Sequence, residues 1–393
     1  CRPDAAVRRA LEGRDFSAAG VYLVGVGKAA WQMAACAAQV LGDRLREGVV
    51  VTKYGHAMGA IPRCAIYEGG HPVPDENSFR GTRAAMDLAE KLGEGDQVVF
   101  LVSGGGSALF ESPLIPGEEL AAVTQALLAG GADIVEMNTV RKRLSAVKGG
   151  RFAQLCAPAK VFAVVLSDIL GDPLDMIASG PACPDSSTCA QALAVAEKYR
   201  LPLSARARQL LERETPKALT NVETVITGSV RELCAAAAAA CRQLGYEPLI
   251  LTDRLCCEAR EAGSFLSSIA KSHDGAKKPL AFLAGGETVV HLTGDGLGGR
   301  NQELVLSAAP GIAGMADTVI FSLGSDGTDG PTDAAGGLVD GETLEKLRSA
   351  GWDVYDALRR NDAYHALGAV DGLIRTGPTG TNVNDVAVVL LRR

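Results

Sequence analysis

Short apolar runs recur along the chain, and almost every one breaks into glycine or polar residues. Val21–Val24 runs into Gly25-Val26-Gly27-Lys28, and Val49–Val51 into Thr52-Lys53. Val98–Val102 runs into Ser103-Gly104-Gly105-Gly106-Ser107, and Val161–Leu166 into Ser167-Asp168. The same alternation returns at Thr224–Thr227, Pro248–Leu251, Leu280–Leu283 and Val319–Leu323, and Val386–Leu391 closes the chain. Uninterrupted apolar runs rich in β-branched residues are what a strand covered on both faces requires. Segments of helical spacing lie between them, such as the small-residue stretch after Lys28 and the alanine-rich Cys234–Leu244. The pattern predicts an α/β protein of two α/β domains, the first with a mainly parallel sheet whose loops gather at one rim.

At 393 residues the chain exceeds one ordinary domain. The polar stretch Lys271–Lys278 is the expected boundary, giving domains over 1–272 and 273–393. Apolar residues make up 47%, enough for two cores, which excludes a disordered class. A net charge of −7 argues against a nucleic-acid partner. No apolar run nears the roughly 18 residues of a membrane span, and no signal peptide is visible. The ten cysteines form no CxxC pair, so reduced thiols in a cytoplasmic protein are expected. Self-association as a homodimer stays open. The first residue is Cys1, so an N-terminal piece is expected to be missing.

The glycine loops carry the candidate chemistry. Three consecutive glycines in SGGGS let backbone N–H groups converge on an anion, and Ser103 to Ser107 are the expected phosphate cradle. GVGKAA matches a dinucleotide-binding turn, but the next strand ends in Thr52-Lys53 where an NAD site needs an acidic residue. A lysine there tolerates an NADP phosphate, so an NADPH-dependent reductase is the alternative reading. Lys28 at the glycine turn suits an anionic substrate or a transferring phosphoryl group. No GxxxxGK[ST] stretch is present, and Ser107 lacks the trailing glycine of a nucleophile elbow.

Over 138–151 the spacing predicts a helix with Arg141, Ser145 and Lys148 on one face, ended by Gly149-Gly150. That basic face, with Asn138, is expected near the nucleotide. Asp168, just past a strand, is a candidate base or Mg²⁺ ligand. Glu287 follows another strand, and the helix opening with Arg300-Asn301-Gln302-Glu303 offers ligand-capable side chains, Arg300 best placed to neutralise a phosphoryl group. The loop from Gly324 to Asp333 carries Asp326 and Asp329, expected to hold Mg²⁺. His71 in GGHPVPD and Thr381-Asn382 in the last polar loop complete the set.

The runs SGGGSALF, NTVRKRLSAVKGGR, SDILGDP…IASGP, GGETV, GGRNQEL, DGTDGPTDAAG and GPTGTNVND, in that order, resemble the glycerate 2-kinase family. Some of its members carried the older label hydroxypyruvate reductase. The resemblance spans essentially the whole chain. It implies a Rossmann-like first domain, a smaller α/β second domain called MOFRL, and an active site in the cleft between them. It also implies phosphorylation of D-glycerate at its 2-hydroxyl by ATP with Mg²⁺. By motif, Lys28, Asp168 and Arg300 carry over as catalytic residues. His71, Glu287, Asn301, Glu303, Thr381 and Asn382 would touch the substrate or support residues that do. Arg143 stands where the family pattern has histidine and projects away from the Arg141/Lys148 face.

Overall fold

The computed structural model describes residues 2–16, 20–167 and 169–392. Its chain divides into two compact units, the second beginning at Gly228.

The first unit holds a six-stranded sheet of β1 (Val21–Val26), β2 (Leu45–Lys53), β3 (Cys64–Gly69), β4 (Gln97–Val102), β5 (Lys160–Leu166) and β6 (Val222–Gly228). The order is β3-β2-β1-β4-β5-β6, the doubly wound order of a Rossmann-like sheet. β1 pairs in parallel with β2 and β4, β2 with β3, and β4 with β5. The apolar runs explain this arrangement. Val98 to Leu101 are fully buried, as are Leu23 and Val24 beside them. A strand flanked on both sides and covered on both faces has no position for a polar side chain. Phe100, Phe110 and Phe152 stack within 6 Å of one another behind the sheet.

The second unit holds β7 (Glu247–Leu255), β8 (Leu280–Gly286), β9 (Thr318–Gly324), β10 (Gly336–Asp340), β11 (Leu373–Ile374) and β12 (Asp385–Leu391). The order is β11-β10-β9-β12-β8-β7. Only β7 and β8 run parallel; β12 lies antiparallel between β8 and β9. The helix Arg300–Ile312 packs its buried residues Leu304, Val305, Ala308 and Ile312 into this unit's core.

The division at Gly228 precedes the boundary expected at 272/273. The polar Lys271–Lys278 stretch lies inside the second unit, at the end of the crossover helix Ala259–Ser272 that links parallel β7 to β8. Such a crossover returns the chain through solvent, so its polar loop resembles a linker in sequence.

The expected helix over 138–151 is also corrected. It runs only from Ile134 to Arg141. Beyond it the chain pairs with Ser112–Leu114: Leu114 N donates to Leu144 O, and Ala146 N to Ser112 O. Arg151 Nη1 donates to the carbonyls of Lys142, Arg143 and Ser145 that a continuing helix would have used internally. No helix among the described residues is long and apolar enough to cross a membrane. The described cysteines are all free thiols.

Candidate active site

In the first sheet the strand order reverses between β1 and β4, where doubly wound sheets bind ligands at the carboxyl ends of the strands. Two loops meet there. Lys28 N donates to Gly104 O at 2.8 Å, and Ala29 N to Ser103 Oγ at 3.0 Å. Gly27, at φ 114°, must be glycine, since a Cβ would stand 2.3 Å from Ser103 O. This contact welds the Lys28 turn to the SGGGS loop.

The weld leaves donors over. The amides of Gly104, Gly105, Gly106 and Ser107 donate to no protein acceptor among the described residues. They lead into the short helix Gly106–Leu109. A Cβ on Gly105 would lie 3.0 Å from His71 Cδ2 and 3.1 Å from Lys28 Cγ, so both side chains stand against the cradle. No carboxylate pairs with Lys28 among the described residues. Burial, then the charges of Lys28, Lys53 and His56, push the His71 imidazole below its ordinary pKa, so it is neutral at pH 7.

The third wall comes from Asn138, Arg141 and a residue that the sequence did not single out. Ser179 is fully buried; its Oγ lies 3.0 Å from Ser107 Oγ and donates to Asn138 Oδ1 at 2.7 Å. Arg141 Nη2 donates to Ser107 O at 3.1 Å. Ala178 and Ser179 sit at φ 51° and 61°, a strained conformation for non-glycine residues. It is held because Ser179 O and Gly180 O accept from Gly149 N and Gly150 N. Left-handed backbone at an Ala-Ser pair leaves no mark in composition or periodicity, and Ser179 showed itself in the sequence through its place in the IASGP run.

Lys148 is corrected. It is wholly buried, with Nζ bound to Glu111 Oε2 and to Phe110 O at 3.2 Å, and burial pushes it down to about 8. It braces the segment after the cradle and has no path to a nucleotide. Arg143 is likewise buried, spending its guanidinium on Thr139 O, Ser187 and Glu214.

The second unit gathers carboxylates at one rim. Asp385, the first residue of β12, stands in register with Gly286 of β8 and Gly324 of β9. Arg300 opens its helix beside them: Nε donates to Asp385 Oδ2 at 2.6 Å, Nη2 to Oδ1 at 3.2 Å, and Nη1 to Glu287 Oε1 at 2.7 Å. Burial opposes the guanidinium charge, but Asp385, Glu287 and Asp329 outweigh it and hold Arg300 more firmly protonated than usual. Asp385 was not among the expected site residues, although it ends the GPTGTNVND run and opens a buried strand.

Asp329 is corrected as a metal ligand. Its carboxylate is buried and accepts from Asn301 N at 3.1 Å and Gln302 N at 2.9 Å, capping the helix Arg300–Ile312. Burial raises it to about 6. Asn301 and Glu303 are internal too. Asn301 donates to Asp329 and accepts from Ser322 Oγ, while Glu303 accepts from Asn361 Nδ2 at 3.1 Å. Their internal partners set direct substrate contact aside and leave the supporting half of the expectation. Asp326 is half-buried, and its carboxylate accepts from Thr328 N at 2.9 Å. No group of three metal-capable side chains occurs among the described residues; the half-buried Asp326 carboxylate suits an ion that phosphate oxygens also hold. Thr379 donates to Ser325 O, and Val383 N to Ser325 Oγ at 2.8 Å, placing half-buried Thr381 and exposed Asn382 beside Asp326's loop. Asp168 lies outside the described residues.

Residues 1–212 match the family described as "Domain of unknown function (DUF4147)", and residues 280–385 match the MOFRL family. The chain is 53% identical to the D-glycerate 2-kinase of Thermotoga maritima, over 99% of this chain and 94% of that one. It is 40% identical to the glycerate 2-kinase of Pyrococcus horikoshii, over 97% and 90% of the two. A crystal structure of Thermotoga maritima glycerate kinase superposes with a TM-score of 0.95 at 52% identity, covering 99% of this chain and 95% of that one.

Proposed function

The chain belongs to the glycerate 2-kinase family, and on that premise we infer that it transfers the γ-phosphoryl group of ATP to the 2-hydroxyl of D-glycerate. The observation that carries the reading is the meeting, at the β1/β4 switch point, of Lys28, neutral His71 and four amides with no protein acceptor among the described residues. Phosphoryl transfer asks a protein mainly for positioning and for positive charge around the moving group. The Gly104–Ser107 amides and Lys28 supply fixed donors for phosphate oxygens, and Arg141 stiffens that loop through Ser107 O. In the step, the bond from the β–γ bridging oxygen to the γ-phosphorus breaks, and one from the 2-hydroxyl oxygen forms. The 2-hydroxyl proton leaves to a base, the role proposed for Asp168.

Arg300 is proposed to act with its carboxylates as one unit, fixing Glu287 and Asp385 while keeping part of its guanidinium exposed. Mg²⁺, proposed as the ion of the reaction, would be held by Asp326 and the ATP phosphates, and it supplies charge neutralisation when bound. Thr381 and Asn382 are proposed to line the same loop pair.

The test is a paired assay: D-glycerate with ATP and Mg²⁺ followed by ADP release, and hydroxypyruvate with NADPH followed by absorbance. ADP release with formation of 2-phosphoglycerate is expected. Reductase turnover without ADP release overturns the reading.

A further inference from the structure

The hydroxyl chain Ser107–Ser179–Asn138 has only one consistent direction. Ser179 has a single proton, and it points at Asn138 Oδ1, 2.7 Å away. Asn138 presents its oxygen there because its Nδ2 faces Met176 Sδ at 3.4 Å. The 3.0 Å contact between Ser179 and Ser107 must therefore use the Ser107 proton. Ser107 is half-buried, and its Oγ has no other partner among the described residues. What Ser107 turns to the site is a lone pair. While its proton is held by Ser179 it does not donate to a phosphate or a carboxylate, both of which only accept.

We propose that the Ser107 hydroxyl is a specificity residue that accepts a hydrogen bond from the 3-hydroxyl of the acceptor acid. Ser179 and Asn138 are the positioning residues that polarise it. The proposal rests on the glycerate 2-kinase reading above. An amide oxygen is too weak a base to take a proton, so the chain ends at Asn138 and cannot deprotonate what Ser107 binds. The group it reads keeps its proton throughout, which distinguishes it from the 2-hydroxyl that must lose one. In D-glycerate that leaves the primary alcohol. A site with a committed acceptor rejects a ligand lacking the donor, because the lone pair is then left unpaired.

The same chemistry is offered by an ATP ribose hydroxyl, and the test separates the two. KM for D-glycerate, KM for ATP and the inhibition constant of D-lactate, which has a methyl in place of the primary alcohol, are measured for wild type, Ser107→Ala, Ser107→Thr and Ser179→Ala. In Ser107→Ala the D-glycerate KM should rise about tenfold, while the D-lactate constant holds or falls as the unpaired acceptor is removed and the ATP KM holds within about twofold. Ser107→Thr, which keeps the hydroxyl, should restore the wild-type ratio. Ser179→Ala, which frees the Ser107 proton, should raise the D-glycerate KM and spare D-lactate. Equal weakening of both acids, or a rise confined to the ATP KM, overturns the proposal. Absence of ADP release by the wild type would instead sink the kinase reading, so the two failures are distinct.

Discussion

At the end of β1 the Lys28 ammonium has no carboxylate partner among the described residues, and the amides next to it are unspent. At the start of the helix Arg300–Ile312 the opposite holds. Arg300 is clasped by Asp385 and Glu287, and Asp329 is spent on the helix's own amides. Both rims are glycine-rich loops that carry charge. The first leaves positive valence for an anion to satisfy, whereas the second satisfies itself and keeps a rigid acidic surface. Residue type does not separate the two; the presence of an internal partner does.

Lys148 is the sharpest way to break the comparison, because it is a first-unit cation that behaves like the second unit. Lys148→Met leaves the Glu111 carboxylate buried and alone, and should cost about 3–5 kcal/mol in denaturant unfolding. Lys148→Met combined with Glu111→Leu should recover most of that loss. A single variant as stable as wild type would show the pair is not internal.

Lys28→Ala should do the reverse. Melting temperature stays put, and kcat/KM for ADP release falls by about 100-fold, near 3 kcal/mol of transition-state stabilisation. A loss of stability matching the loss of activity would place Lys28 with the paired cations.

Arg300→Met should do both at once. Removing the partner of Asp385 costs about 2 kcal/mol of stability, less than for a fully buried pair because Arg300 remains one-third exposed. Activity should fall as well, and Asp385→Asn combined with Arg300→Met should regain stability but not turnover.

The smallest effect is in pH. Burial raises Asp329 to about 6 in the folded chain, above its unfolded value. The folded state thus binds the proton more tightly, so this contribution is present below about pH 4 and is lost as pH rises through 6. The stability of wild type relative to Asp329→Asn should therefore grow by about 1 kcal/mol between pH 7 and pH 5. A flat difference would mean that water reaches the carboxylate.

Much of the first sheet was readable because its signal is redundant. Each buried strand is an apolar run ended by glycine or polar residues, and Val98–Val102 states its burial in every position. Lys28, His71 and the SGGGS loop follow from the same punctuation. The residues from Arg141 to Arg151 were misread for a reason equally physical. Their spacing suits a helix, but Ser112–Leu114 offers backbone partners and Glu111 draws Lys148 inward. Nothing local records such distant partners.

The amino-acid sequence alone determined the α/β class, the two-part chain, the family, and the loops where chemistry belongs. These depend on neighbours along the chain: runs of burial, turns that need glycine, motifs in order. Only the tertiary structure decided which charges are spent. Lys148 and Asp329 carry the same formal charges as Lys28 and Asp326, yet the first two are closed off by Glu111 and by helix amides. It also brought Ser179 from far along the chain to within 3.0 Å of the Ser107 hydroxyl. A group's availability is set by what folding places within 3 Å of it, and that distance is not written in the order of residues.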